Sequence, residues 1–141
     1  MTYHKLAGFT VLSLAVTFVA LAPAAWSQSV RDRADAPRIL TVENVTFNDG
    51  EVSGEVANKS PNTVRDVQLL IRNTWLWNKE FKPGKNDPGT STYYTLPKEV
   101  PPGGRVSFTF KPSSPLPKMA GGHFDRSVAV AGYTEIIPQK R

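Results

Sequence analysis

Five aromatic side chains fall within twenty residues: Trp75, Trp77, Phe81, Tyr93 and Tyr94. Lys79, Lys82 and Lys85 are interleaved with them. Aromatic faces stack on sugars or bury themselves in a protein partner, and Trp and Tyr are enriched where binding energy concentrates. The lysines would supply charge and hydrogen bonds at the rim. Trp77, Phe81 and Tyr94 are the expected anchors, with Lys79 and Lys82 beside them. A packing role competes with this one. Trp75 and Trp77 keep the parity of Val67, Leu69 and Ile71, which reads as the inward face of a strand. Adjacent Tyr93 and Tyr94 point to opposite faces of any strand that holds them, so at least one hydroxyl reaches water.

Catalytic chemistry has little to stand on. Apart from His4, near the N-terminus, His123 is the only histidine, and it reads as part of a glycine-rich loop two residues before Asp125. A His–Asp pair without an activated nucleophile is not a triad, and no nucleophile elbow occurs. There is no cysteine, which removes disulfides, thiolate zinc sites and thiol redox chemistry together. No loop gathers enough carboxylates for calcium, and no pair of acids stands out for glycoside hydrolysis. Gly103-Gly104 and Gly121-Gly122 are not followed by helices, so neither offers a helix N-terminus to a phosphate. The expectation is a protein that is not an enzyme and uses no metal or cofactor.

The chain has 141 residues, with 17 Lys and Arg against 12 Asp and Glu, a net charge of +5. That excess is spread out, with no basic arm or basic helix of the kind that tracks nucleic acid. Met1–Ser27 opens with Lys5, continues through the apolar stretch Leu6–Leu21 and ends on small residues at Ala25 and Ser27. This is the pattern of a secretory signal peptide cut after Ser27. Its apolar run is short for a spanning helix, so no stable membrane span is expected after cleavage. The short, weakly basic start points to a bacterial envelope and a periplasmic or secreted destination. Asn44-Val45-Thr46 and Asn58-Lys59-Ser60 match the glycosylation pattern, which matters only on a eukaryotic secretory route.

The elements that must position the aromatics are strands. Residues 28–38 mix charges with Pro37 and read as a flexible leader. From Ile39 to Pro138 the chain is a series of short alternating runs. Leu40 and Val42 change phase with Val45 and Phe47, which places a bulge or a sheet switch near Glu43-Asn44. Asn48-Asp49-Gly50-Glu51 is a two-residue hairpin signal. Val52–Val56, Val67–Trp77, Thr90–Leu96, Val106–Phe110 and Ser127–Ile137 follow, with a seventh strand at Leu76–Phe81. Twelve prolines and ten glycines lie mostly between these runs, and no stretch after residue 27 carries a helical period. The predicted class is all-β, a Greek-key β-sandwich of about seven strands.

Gly54-Glu55-Val56-Ala57-Asn58, then Val64 and Val67, then Pro102-Gly103-Gly104 and Phe108 resemble the FxLYD-type immunoglobulin-like domains of secreted bacterial proteins. The resemblance covers roughly Ile39–Lys111. Ile71-Arg72-Asn73-Thr74-Trp75 stands where that family has its naming motif. The resemblance implies an immunoglobulin-like sandwich and an exported location, and it carries no activity. The functional expectation is a non-catalytic protein-binding or scaffolding module with another envelope protein as partner. The alternative is a carbohydrate- or cell-wall-binding module that sets the same aromatics against a glycan.

Overall fold

The computed structural model describes residues 26–32, 36–85 and 87–139. The expected signal peptide therefore lies outside the described residues except for Trp26 and Ser27. The chain is mostly β, in two antiparallel sheets. Its elements are β1 (Trp26–Asp32), a single-turn α1 (Ala36–Ile39), β2 (Leu40–Asn48), β3 (Glu51–Asn58), β4 (Thr63–Trp77), β5 (Thr90–Thr95), β6 (Arg105–Phe110) and β7 (Gly122–Pro138). One sheet has four strands in the order β1-β7-β4-β5, and the other has three in the order β2-β3-β6.

The β2–β3 hairpin forms where Asp-Gly demands it. Asp49 and Gly50 both have positive φ, 46° and 89°, and Asn48 pairs with Glu51 across a two-residue turn. The phase change in β2 is a bulge within one sheet. The register shifts between Glu43 and Thr46, and Asn44 takes up the extra residue at φ 52°. A second bulge lies in β4, where the register shifts between Arg65 and Gln68 and Asp66 has φ 50°. That insertion lets Val64 and the odd series Val67, Leu69, Ile71 all face inward.

Those inward residues meet the other sheet. Leu40, Val52, Val56 and Phe108 from the three-stranded sheet share one buried cluster with Val64, Val67, Leu69, Ile71, Val130 and Tyr133 from the four-stranded one. Val52, Val56, Val64, Val67 and Leu69 have no exposed surface. Burying each such side chain stabilises the fold by about 1.5–3 kcal/mol, which is what holds a chain that has no disulfide. Gly54 serves this layer directly. It pairs with Phe108, and a Cβ there would stand 3.1 Å from the Phe108 ring. The ring lies across the strand where the glycine leaves room.

Two features differ from the sequence expectation. The segment read as a leader holds β1, which pairs with β7 from Trp26–Pro138 through Asp32–Gly132. Strand formation there is set by a partner 100 or more residues away, so local alternation gives no sign of it. Leu76–Phe81 is not a separate strand. Leu76 and Trp77 end β4, and the chain then turns through Asn78 and Lys79, the latter at φ 72°.

Candidate functional site

The aromatics divide between three places. Trp75, on the inner face of β4, is 2% exposed. Phe124 of β7 packs on it edge to face at a centroid distance of 4.8 Å. Trp77, one inward position further along, sets its ring against Trp75 at 5.4 Å and 81°. Trp77 remains half-buried. Gly122 makes this packing possible, since a Cβ there would stand 2.7 Å from the Trp75 ring and closer still to the Leu76 carbonyl.

Tyr94 is placed elsewhere, which corrects its expected role as an exposed anchor. It pairs with Leu69 and so faces inward. Its ring lies 5.7 Å from Phe110 and 6.4 Å from Phe108, bridging the two sheets. Tyr93 is the exposed member of the pair, at 61%. Leu69 is eight residues from Trp77 along β4, roughly 27 Å at the rise of an extended strand. Tyr94 and Trp77 therefore belong to different surfaces, although their numbers are close.

Phe81 projects from the loop that follows β4 and is 96% exposed. Lys79 and Lys82 are exposed on the same loop. The loop is tied to the end of β4 by carboxylates. Glu80 Oε2 accepts from the Trp77 N–H at 3.3 Å, and the Glu80 N–H donates to the Trp77 carbonyl at 2.9 Å. Asp87 Oδ1 accepts from the backbone N–H groups of both Trp75 and Gly89, each at 2.8 Å. The Asn78 N–H donates to the Gly121 carbonyl at 2.8 Å, joining this loop to the start of β7. These bonds hold both feet of the loop and leave its crest, with Phe81, projecting. Solvent-facing hydrogen bonds such as these contribute about 0.5 kcal/mol each, and several together set the feet. Of the expected site residues, the structure brings together Trp77, Lys79, Phe81 and Lys82, and it places Tyr94 apart.

His123 lies in β7, opposite Leu76, and not in a loop as expected from its glycine neighbours. It is exposed, as is Asp125 two positions on. Among the described residues, no group of three or more His, Cys, Asp or Glu side chains is close enough to hold a metal ion. A groove of about 500 Å³ lies at the other end of the sandwich, lined by Pro61, Arg65, Glu99 and Ile136 among others. Asn58, part of a glycosylation pattern, is 2% exposed and closes that end of the fold from within. No helix among the described residues is long and apolar enough to cross a membrane. Comparison with protein-family models, with curated proteins and with solved structures finds no match.

Proposed function

We propose that this chain is an exported, non-catalytic protein-binding module of the bacterial envelope, an immunoglobulin-like Greek-key sandwich delivered by a signal peptide cut after Ser27. The observation that carries the binding role is Phe81. A phenylalanine almost wholly in water is an unfavourable place for about 2 kcal/mol of burial energy. It stands on a loop whose feet are fixed, so little ordering is left to oppose its burial by a partner. Half-buried Trp77 supplies a second apolar contact at its base, and Lys79 and Lys82 form a basic rim that suits an acidic or carbonyl-rich protein surface.

A glycan platform needs two or more rings in one plane. Trp75 is buried, Trp77 stands nearly perpendicular to it, and Tyr94 bridges the sheets. One protruding ring favours a pocket in a protein over a sugar face, and loops carried on a rigid frame are where binding residues concentrate. The test is affinity capture from an envelope extract with the tagged full chain and with Phe81→Ser, alongside tryptophan-fluorescence titration with peptidoglycan fragments. The expected result is a discrete protein captured by the first and lost by the second, with emission unmoved by glycan. A glycan-induced emission shift that Phe81→Ser removes would instead establish the carbohydrate reading.

A further inference from the structure

The sheet edges of this fold are not equally protected. An open edge strand invites pairing, and proteins guard such strands with charge, proline or a bulge. In β2 the guard is the bulge at Asn44. In β6 it is charge: Arg105 and Lys111 flank the strand, and a two-fold axis at Phe108 would set them face to face, like charge on like. The stretch of β7 beyond the reach of β1 carries Asp125 and Arg126, and β1 itself carries Arg31 and Asp32. Strand β5 has none of these. Thr90-Ser91-Thr92-Tyr93-Tyr94-Thr95 contains no charge, no proline and no glycine, is straight in register, and among the described residues is hydrogen-bonded on one side only, to β4.

The direction of its free backbone groups follows from the ladder. The Leu96 N–H donates to the Val67 carbonyl at 2.8 Å, so inward-bonded positions continue as Tyr94, Thr92 and Thr90. Ser91, Tyr93 and Thr95 then turn their N–H and C=O groups to the open edge. Their side chains share the outer face of the sheet, where Tyr93 flanks Leu70 and Leu70 flanks Ala129.

We infer that β5 is a self-association edge, on which two copies of this chain pair antiparallel about a two-fold axis at Tyr93. In this register Tyr93 meets Tyr93 and Ser91 meets Thr95, each as a pair that exchanges two N–H···O bonds. No like charges meet, and the two tyrosine rings lie side by side as a cross-strand aromatic pair. The outer row Ala129, Leu70, Tyr93 runs without a break into its symmetry mate, and the two four-stranded sheets become one. The contact is isologous and closes on itself, so it yields a dimer and not a fibre. One strand's width buries less than a standard interface, as in weak and transient complexes, and the expected association is micromolar. The dimer leaves the two Phe81 loops free at opposite ends of the paired strands.

The chain has no cysteine, so disulfide trapping reads the register directly. Hydrogen-bonded cross-strand pairs have Cα atoms about 5.5 Å apart, within disulfide range. Tyr93→Cys should trap a covalent dimer under mild oxidation, and Thr92→Cys, on the other face and opposite Tyr94 of the second copy, should not. Light scattering of the unmodified chain should show a concentration-dependent dimer. Ser91→Pro, which removes an outward N–H and leaves the β4 ladder intact, should weaken it about tenfold or more. A monomer throughout the micromolar range would overturn the proposal. So would equal trapping at positions 92 and 93, or a one-to-one complex with a different chain as the only species that Ser91→Pro weakens.

Discussion

At the Val64 end of β4, Asn58 is buried and shares its amide N–H groups among the carbonyls of Asn62, Val100 and Pro101, while its own oxygen accepts from Ser60 N–H and Oγ–H. At the Trp77 end, Asp87 and Glu80 accept from the backbone N–H groups of Trp75, Gly89 and Trp77, yet a whole phenyl ring is left in water. The same strand thus ends once in a corner where buried Asn58 and Ser60 are bonded within the fold and once in a tip whose apolar surface is left uncovered. The first arrangement contributes to stability and asks nothing of a partner. The second contributes nothing to the fold and gains only when something covers it. Polar residues at one end and apolar ones at the other have therefore exchanged the roles that composition alone would assign them.

Substitutions at the two ends should separate stability from binding, and the corner should give the largest stability effect. Asn58→Ala removes the amide that donates to three carbonyls and leaves the buried Ser60 N–H without its acceptor, and urea unfolding should show a loss of about 3 kcal/mol. Gly122→Ala pushes a methyl into the Trp75 ring and the Leu76 carbonyl, and the melting transition should report about 2 kcal/mol of destabilisation. A loss below about 0.5 kcal/mol would mean that the Trp75–Phe124 packing has slack. Asp87→Ala releases two backbone N–H groups at the loop foot. It should cost about 1 kcal/mol and speed amide exchange at Trp75 and Gly89 without affecting the β2–β3 hairpin. Glu43→Gln weakens a 3.1 Å contact with Arg105 on the exposed face of the other sheet, and unfolding should move by no more than about 0.5 kcal/mol. Phe81→Ser belongs at the end of this order for stability and at its head for binding.

The parts of this molecule that are legible in its sequence are those governed by near neighbours. Asp49-Gly50 dictates its own turn, the phase slip at Glu43-Asn44 marks a bulge, and the parity of Val67, Leu69, Ile71 and Trp75 marks the buried face of β4. What depends on distant pairing is not legible. β1 becomes a strand only beside the end of β7, and β7 begins at Gly122 although Gly121-Gly122 and His123 read as loop. Tyr93 and Tyr94 must face opposite ways, but which of them is exposed depends on the register with Leu69 and Leu70. Trp77 and Phe81 stay together because only a turn separates them. Tyr94 is carried away because a strand runs the length of the sheet in between.

Photo-cross-linking in living cells tests the central claim most directly. p-Benzoylphenylalanine placed at position 81 should capture a discrete envelope protein. The same group at Thr109, exposed on the polar face of the three-stranded sheet, should capture none. Capture at 109 with none at 81 would contradict the assignment of the Phe81 loop as the binding surface.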